Sequence, residues 1–355
     1  MKIGIPREIK PLEGRVALTP AAVGELVSAG HEVKVEAGAG LASGYGDDSY
    51  LQAGAHVEAE AESVWLSELV VKVKDPIAAE FGLLRPDLCL FSYLHLAANR
   101  QLATALMESG VTSIGFETVE EKGARPLLAP MSDIAGRLSI QYGTTLLHRP
   151  AGGKGLLLGG LAGADRGHVV VLGTGIAGSA AVRVAAALGA EVTVFGLQRG
   201  QLDALHRVGP NVTALPSEAE LRQRAIERAD LLVGAVLIPG DRAPWLVSRE
   251  QVASMGEGSV IVDISVDQGG CIETTRPTDH TAPTYVESGV THFAVTNMPG
   301  AVPRSASQAL SAAISPYVQR LAGLSSVTDD PVLATGMNTQ AGKIVHPAVA
   351  HALQS

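Results

Sequence analysis

Short apolar runs alternate with helix-like segments along the first third of the chain. The apolar runs predict strands at residues 2–5, 32–36, 69–73, 88–93 and 111–116. After the first run, Thr19 stands where a helix N-cap is expected, Pro20 suits the first helical position and Gly30 suits the stop. Strands separated by helices predict a parallel sheet.

A second alternating set follows a glycine-rich segment. Residues 131–148 have helical spacing and predict a connector between two domains, and residues 151–167 predict a loop. Strands are then predicted at residues 168–172, 191–195, 230–235, 259–264 and 291–295. The segment 305–321 predicts a helix that Pro316 kinks or restarts. Because this tail follows a finished sheet, we expect it to pack back on the first domain.

Composition narrows the class of function. The chain has 355 residues, enough for two domains, and its 27 Lys and Arg residues against 36 Asp and Glu residues are dispersed, which argues against nucleic-acid binding. The amino terminus lacks an apolar signal core and no stretch approaches the ~20 apolar residues that span a bilayer, so we expect a cytoplasmic protein with no membrane partner. Cys89 and Cys271 lack the spacing of a metal site or a disulfide framework, and we interpret both as reduced packing residues and predict no metal.

The most specific physical signal is the segment HVVVLGTGIAGSAAVRVAAALGAEVTVF. A buried strand leads into Gly173, Gly175 and Gly178, and an Ala-rich helix follows before a second strand. In such a motif the first glycine permits a tight turn, the second lets the backbone approach a pyrophosphate, and the third lets helix and strand pack closely. The start of the helix offers N–H groups to an anion. The segment therefore predicts a dinucleotide site rather than a structural turn.

The acidic residue expected at the end of the second strand of this motif is missing. An NAD site usually has a carboxylate there that accepts hydrogen bonds from the adenosine ribose, but Gly196 occupies that place. Arg199 is close enough in sequence to meet the 2′-phosphate of NADP. Alternatively, Arg199 is a solvated charge and NAD binds through its pyrophosphate and nicotinamide ends, so the sequence leaves both cofactors open.

Two basic residues lie near the ends of predicted strands, where open α/β sheets usually bind ligands. Arg15 lies in a polar loop before the first helix, and its planar guanidinium suits a substrate carboxylate, although a surface arginine is the common case. Lys74 ends the segment VKVKDP, where an exposed strand edge would explain Lys72 and Lys74 equally well.

Two further residues offer proton chemistry and charge. His95 follows an apolar run, LCLFSYLHLAA, and can carry protons near neutral pH, although a satisfied core histidine is the commoner reading. Asp267 closes SVIVDISVDQGG, whose glycines would let the backbone approach a ligand. Its carboxylate can hold an ammonium group or orient water, and the alternative is a loop-capping aspartate.

Taken together, these segments resemble the alanine dehydrogenase family, which also includes the nucleotide-binding subunit of proton-pumping transhydrogenase. The matching segments run in family order and are GIPREIK with Arg15 downstream, VKVKDP, SYLHLAA, APMSDIAGR, GTGIAG, GAVLIPG, VDQGGC, NMPGAVPRS and GMNTQAGKIVHPAV. The resemblance implies an α/β fold of two Rossmann-like domains with parallel sheets, an active-site cleft between them and a homo-oligomer, usually a hexamer. We expect residues 1–130 and 305–355 to form the substrate domain and residues 131–304 the dinucleotide-binding domain.

The resemblance also implies roles for individual residues. Arg15 and Lys74 match the residues that bind the substrate carboxylate, and His95 and Asp267 match the two catalytic residues. The resemblance implies cofactor contacts at Ser132, Val236, Leu237, Arg276, Asn297 and Met298. The further candidates for cofactor contacts, besides the three glycines, are Ile176, Gly196, Arg199, Ile264 and Asp267. Gly196 departs from the family's usual aspartate, which leaves the preference between NAD and NADP open. The small residues of SASQALSAAISPYV stand where the family often has threonines and an asparagine, which bears more on oligomer contacts than on chemistry.

The reaction implied by the resemblance is reversible NAD(P)-dependent oxidative deamination of L-alanine to pyruvate and ammonia. One alternative is the transhydrogenase subunit, which passes hydride to a second protein, and another is a non-catalytic nucleotide-binding paralogue. The intact set of Arg15, Lys74, His95 and Asp267 favours the dehydrogenase. Substrate breadth stays open, because alanine, 2-aminobutyrate and serine differ by a single carbon or hydroxyl and such differences alter rates modestly; glyoxylate as a substrate and the physiological direction stay open too.

Overall fold

A computed structural model describes residues 1–236 and 244–354. The chain divides into two compact units, one formed by Met1–Met131 with Gly300–Ser355 and the other by Ser132–Pro299. Each unit has one mostly parallel sheet with helices along the chain between its strands, which confirms the predicted α/β class.

The strands of the described residues are numbered in chain order. They are β1 Lys2–Ile5, β2 Glu32–Glu36, β3 His56–Glu58, β4 Leu69–Val71, β5 Cys89–Ser92, β6 Thr112–Gly115, β7 His168–Leu172, β8 Glu191–Gly196, β9 Val212–Pro216, β10 Leu231–Gly234, β11 Val260–Asp263, β12 Thr284–Glu287, β13 Val290–Phe293, β14 Met337–Gln340 and β15 Lys343–Ile344.

The α-helices are numbered in the same way. They are α1 Pro20–Ser28, α2 Asp47–Gln52, α3 Ala61–Trp65, α4 Arg100–Ser109, α5 Ala129–Leu146, α6 Ile176–Ala187, α7 Arg199–His206, α8 Ala219–Glu227, α9 Arg249–Ala253, α10 Pro303–Ala322, α11 Pro331–Thr335 and α12 Pro347–Gln354. No helix in the described part of the chain is both long and apolar enough to cross a membrane.

The first unit is built on an eight-stranded sheet in the order β15-β14-β6-β5-β4-β1-β2-β3. The strands from β6 to β2 are parallel, as predicted, and their buried aliphatic side chains each contribute about 1.5–3 kcal/mol, while β3, which pairs in parallel with β2, was not predicted. Strands β4, β5 and β6 are shorter than predicted at their carboxyl ends. The prediction was too long because Val73, Tyr93 and Phe116 are buried beyond the last paired residue and continue the apolar pattern.

Strands β14 and β15 form an antiparallel edge that the sequence pattern does not predict. The sequence of β14, MNTQ, is polar, yet Asn338 and Thr339 are fully buried. The Thr339 hydroxyl lies 2.7 Å from that of Ser113, and the Asn338 amide donates to the Thr118 hydroxyl at 2.8 Å. Hydrogen bonds between side chains therefore replace the apolar alternation by which strands are usually recognised.

The long helix of the tail, α10, runs through Pro316 as one helix, so the predicted restart there does not occur. Its buried face includes Leu310, Ile314, Val318 and Leu321, a spacing that keeps one side of the helix in the core of the first unit on both sides of the proline. Thr19 does precede α1, but its side chain makes no capping hydrogen bond.

The second unit is built on a seven-stranded sheet in the order β12-β13-β11-β10-β7-β8-β9. All neighbouring strands are parallel except β12, which pairs antiparallel with β13. The connector helix predicted over residues 131–148 corresponds to α5, and the strand predicted at residues 168–172 corresponds to β7. Strands β9 and β12 were not predicted, since both are partly exposed and carry few consecutive apolar residues.

Candidate active site

Arg15 follows β1 and is buried, with only 2% of its surface exposed. Its Nε donates to Glu13 Oε1 at 2.7 Å and its Nη2 donates to Glu13 Oε2, so the two side chains form a bidentate pair. Burial works against the cation, but the hydrogen bond and charge of Glu13 outweigh it and raise the pKa of Arg15. The surface-arginine interpretation is therefore wrong, and Arg15 is a fixed positive charge.

The alternative that an exposed strand edge explains Lys72 and Lys74 is also wrong. Strand β4 lies between β1 and β5, and Lys72 is 1% exposed. Its ammonium lies 2.6 Å from Glu80 Oε1 and 3.7 Å from Glu8 Oε2. Lys74 lies three residues beyond the end of β4 and is half-buried, so an exposed strand edge does not explain this lysine.

Glu8 holds the backbone that carries Lys74. Its Oε1 accepts the backbone N–H of Val73 at 2.6 Å and that of Lys74 at 3.2 Å. Burial raises the pKa of the Glu8 carboxyl, Lys72 opposes this rise and Glu13 adds to it. Two buried carboxylates thus stand beside the two basic residues proposed from the sequence.

A cavity of about 190 Å³ opens beside these residues in the first unit. Its lining includes Glu8, Glu13 and Arg15. Neither glutamate was singled out from the sequence, although the segment PREIKPLEGR places Glu8 seven positions and Glu13 two positions before Arg15. The available signal was the presence of acidic residues close to Arg15 in the sequence, because an arginine that is buried needs a carboxylate partner.

His95 is exposed, so the core-histidine interpretation is wrong. It follows β5 and has φ 48° and ψ 38°, a left-handed conformation that is uncommon for a residue with a β-carbon. Glu117, which the sequence analysis missed, accepts the His95 backbone N–H at 2.7 Å. The imidazole stacks on Tyr93 with ring centroids 5.9 Å apart and planes within 5°.

Tyr93 stacks on His95 and also lies close enough to Arg15 to be affected by its charge. Its hydroxyl donates to the Leu127 carbonyl at 2.6 Å, and burial raises its pKa, an effect that the charge of Arg15 opposes. Arg15, Lys74 and His95 follow β1, β4 and β5, and therefore lie at the carboxyl ends of neighbouring parallel strands. This is the edge where open α/β sheets bind ligands.

The glycine loop of the second unit has the geometry that the motif predicts. Gly173 has φ +112°, and a β-carbon there would lie 2.3 Å from the Ala235 carbonyl oxygen. A β-carbon on Gly178 would lie 2.0 Å from the Gly173 oxygen, whereas one on Gly175 would meet nothing within 4 Å. Helix α6 begins at Ile176, so its unbonded N–H groups stand beside the open side of Gly175.

Asp263, which the sequence analysis missed, organises the loop after β11. Its carboxylate accepts the backbone N–H groups of Ser265 at 2.9 Å and Cys271 at 3.0 Å, and the Thr275 hydroxyl at 2.8 Å. Burial raises its pKa, while these hydrogen bonds oppose the rise. The Ser265 hydroxyl in turn accepts the backbone N–H of Val236 at 3.0 Å, which joins the loops after β10 and β11.

Asp267 lies on the same loop but is exposed. The capping role that the sequence left as an alternative for Asp267 is performed by Asp263. Ile264 is half-buried at the start of the loop. The structure thus brings the glycine loop, Val236, Ile264 and Asp267 to the carboxyl ends of β7, β10 and β11.

Gly196 is the last residue of β8 and faces Thr174 of the glycine loop. A β-carbon on Gly196 would lie 2.3 Å from Thr174 Cγ2 and 2.7 Å from Thr174 Oγ1. The Thr174 hydroxyl donates to Gln201 Oε1 at 2.5 Å. Arg199 begins α7 and is exposed, and it makes no ion pair or hydrogen bond through its side chain within residues 1–236 and 244–354.

The remaining cofactor residues suggested by the sequence are less closely grouped. Ser132 is half-buried on α5, and the guanidinium of Arg276 stacks on the Tyr285 ring at 3.9 Å. Asn297 has φ +61°, and Met298 after it is buried. Leu237 lies outside the described residues.

Comparisons with known proteins connect these residues to one family. The family descriptions “Alanine dehydrogenase/PNT, N-terminal domain” and “Alanine dehydrogenase/PNT, C-terminal domain” match residues 4–135 and 139–347. An alanine dehydrogenase of Bacillus subtilis (strain 168) is 47% identical, over 99% of this chain and 95% of the relative. An alanine dehydrogenase of Geobacillus stearothermophilus is 48% identical, over 99% of this chain and 96% of the relative.

Solved structures agree with the sequence relatives. An L-alanine dehydrogenase is 50% identical, with a TM-score of 0.96 over 100% of this chain and 99% of that one. A transhydrogenase from Sinorhizobium meliloti is 27% identical, with a TM-score of 0.85 over 98% of this chain and 100% of that one.

Proposed function

The chain belongs to the alanine dehydrogenase/PNT family, and from this premise we propose that it catalyses the reversible oxidative deamination of L-alanine to pyruvate and ammonia. The observation that supports this activity most directly is the buried cation of Arg15, held by Glu13 at the same sheet edge as Lys74 and His95. A buried guanidinium at the same sheet edge as a lysine suits a small carboxylate ligand, and a proton carrier at that edge suits chemistry at the adjacent carbon.

Arg15 and Lys74 bind the substrate carboxylate in this proposal. Fixing the carboxylate orients the neighbouring Cα, and such orientation is worth up to ~7 kcal/mol or more of the barrier. Glu13 and Glu8 act as positioning residues, because one holds the guanidinium and the other holds the backbone of Lys74.

His95 exchanges a proton with the substrate oxygen as the carbinolamine forms or collapses. Its exposed ring and fixed backbone suit this task, since the imidazole must reach the substrate while its orientation stays defined. Asp267 supplies a carboxylate that stabilises the cationic amine or iminium and orients water and ammonia.

The second unit fits a nicotinamide dinucleotide. Side chains are excluded at Gly173 and Gly178 while Gly175 faces open space, which leaves room for a pyrophosphate at the start of α6. A bound nicotinamide ring would supply the acceptor, or in the reverse direction the donor, for the hydride of the substrate Cα. Val236, Ile264, Arg276, Asn297, Met298 and Ser132 are the further residues that we propose to contact the cofactor, together with Leu237.

We propose that both NAD(H) and NADP(H) are used. Gly196 has no carboxylate to bind the ribose of NAD or to repel a 2′-phosphate, and the exposed cation of Arg199 stands three positions further along the chain. We also propose a homo-oligomer, expected to be a hexamer, that works in the cytoplasm. Light scattering on the purified protein tests the hexamer, and a monomer at micromolar concentration would contradict it.

A spectrophotometric assay tests the activity. The purified chain alone should oxidise NADH or NADPH when pyruvate and ammonium are both present, and should reduce NAD or NADP with L-alanine. Omission of ammonium is the control, because reduction of pyruvate to lactate would not need it. Tight nucleotide binding without turnover of either amino acid or keto acid would overturn the proposal and favour a hydride carrier of the transhydrogenase kind.

A further inference from the structure

We infer that Thr174 and Gln201 determine how the adenosine ribose is recognised, in place of the missing carboxylate at position 196. This inference rests on the proposed use of a nicotinamide dinucleotide, and it identifies whether the site favours NAD or NADP. It starts from the space that Thr174 occupies next to the last residue of β8.

The Thr174 side chain fills the position that a side chain on residue 196 would need. A β-carbon built on Gly196 would lie 2.3 Å from Cγ2, 2.7 Å from Oγ1 and 3.1 Å from Cβ of Thr174. Rotation of a β-branched side chain only exchanges which of its heavy atoms is nearest, so the contact cannot be relieved at low cost. Because Thr174 fills this space, only glycine fits at position 196. The absence of a ribose-binding carboxylate there therefore depends on both residues.

The hydrogen bond between Thr174 and Gln201 decides which chemical groups remain at this end of the site. The Thr174 hydroxyl donates to Gln201 Oε1 at 2.5 Å, which uses one lone pair of the amide oxygen and holds the Gln201 side chain beside Thr174. The side chains of Gln201 and Arg199 are both exposed, and they offer amide and guanidinium N–H groups and one positive charge, with no negative charge. A cation with N–H donors and no carboxylate suits the anionic oxygens of a phosphate better than ribose hydroxyls, which an NAD site usually binds with a carboxylate, so this end of the site favours a 2′-phosphate.

Thermal unfolding tests the steric half of the inference. Gly196→Asp should lower the Tm by about 4 °C or more, and the double variant Thr174→Ala/Gly196→Asp should recover most of that loss. Gly200→Asp is the matched control, since a β-carbon on Gly200 meets nothing within 4 Å, and its Tm should stay within about 1 °C of the wild type. A Gly196→Asp variant with wild-type Tm, or a double variant no more stable than the single one, would overturn this half.

Calorimetric titration of the full chain with 2′,5′-ADP and with 5′-AMP tests the chemical half without any turnover. The wild type should bind 2′,5′-ADP more tightly, and Gln201→Glu should reduce that preference about tenfold, because the new carboxylate repels the 2′-phosphate and accepts from the ribose hydroxyls of 5′-AMP. Thr174→Ala/Gly196→Asp should reverse the preference toward 5′-AMP. An unchanged ratio of the two dissociation constants in Gln201→Glu would overturn the assignment.

The two proposals fail in different ways. If alanine and pyruvate are not turned over but 2′,5′-ADP binds as expected, the proposed reaction is wrong and the ribose assignment holds. If turnover is normal and the ratio of dissociation constants does not respond to residue 201, the ribose assignment is wrong and the reaction holds.

Discussion

Glu117 Oε1 accepts the backbone N–H of His95 at 2.7 Å, at a point where the His95 backbone is left-handed. A residue with a β-carbon rarely adopts this conformation unless its surroundings hold it there, and such residues cluster at functional sites. Glu117 also approaches the backbone N–H of Leu94 at 3.2 Å, so one carboxylate fixes the turn that presents the imidazole.

Loss of this carboxylate should therefore lower kcat without removing any group that touches substrate. Glu117→Ala should reduce kcat by about tenfold or more through poorer orientation, whereas Glu117→Gln, whose amide oxygen still accepts, should keep most of it. The pH profile of kcat separates positioning from a structural defect, since a displaced His95 would shift that profile. Equal losses in the two variants would contradict the positioning role.

His95 itself should show opposite effects on activity and stability. His95→Gly should cut kcat by roughly 10²-fold to 10⁴-fold, because proton transfer is lost. The same change should raise the free energy of unfolding by about 1 kcal/mol, because glycine adopts a positive φ without penalty. Urea unfolding and steady-state kinetics on one preparation measure both. Near-normal turnover would remove His95 from the mechanism.

Lys74→Ala should raise the KM for pyruvate about tenfold or more and leave the KM for the cofactor close to the wild type. The lysine is half-buried, so the variant should fold. Lys34→Ala is the matched control, because Lys34 is half-buried as well, pairs with Glu58 at 3.4 Å and has no proposed substrate role. Pyruvate saturation that does not change in Lys74→Ala would place the carboxylate elsewhere.

Arg15 requires a paired design. Arg15→Ala deprives the buried Glu13 of its bidentate partner, and breaking such a pair costs about 3–5 kcal/mol. The double variant Arg15→Met/Glu13→Gln removes both charges, so it should be more stable than Arg15→Ala while its KM for pyruvate stays raised. Differential calorimetry and pyruvate saturation measure the two properties. A wild-type KM for pyruvate in the double variant would show that Arg15 does not bind the substrate carboxylate.

His292 should make stability depend on pH. It is 1% exposed, and burial lowers its pKa below the ordinary value of about 6.5. A histidine whose pKa is lowered in the folded state contributes stability above the unfolded value, and this contribution is lost as the pH falls below about 6.5. His292→Gln should therefore have a smaller loss of unfolding free energy between about pH 8 and about pH 5 than the wild type. Parallel urea titrations of both proteins provide the comparison, and identical pH slopes would contradict the assignment.

The apolar pattern predicted most of the parallel strands, because strands buried on both faces are nearly continuous aliphatic runs, but it missed the partly exposed β3 and β9. It failed at β14, whose buried Asn338 and Thr339 are satisfied by hydrogen bonds, and a hydropathy pattern does not register such partners. The glycine loop was predictable in detail, since close approach to a carbonyl oxygen leaves glycine as the only residue that fits at Gly173 and Gly178.

The residues proposed to touch the substrate were visible in the sequence, whereas those that hold them were not. Glu8, Glu13, Glu117 and Asp263 act through backbone N–H groups or a neighbouring guanidinium. Such roles depend on which loops meet in space, and the spacing of residues along the chain does not contain that information. For the same reason the contact between Thr174 and Gly196 could be found only once β7 and β8 were in register.

The antiparallel edge of the first sheet has a consequence for how the protein is made. Strand β6 pairs with β14, through Ile114 opposite Met337, and residues 116–336 separate the two strands in the chain. During synthesis the edge of β6 therefore stays uncovered until residues 337–340 have left the ribosome, while every strand of the other sheet emerges before them. An exposed strand edge invites pairing with other chains, so a nascent protein stalled after residue 330 should aggregate more readily than one released after β14 has formed.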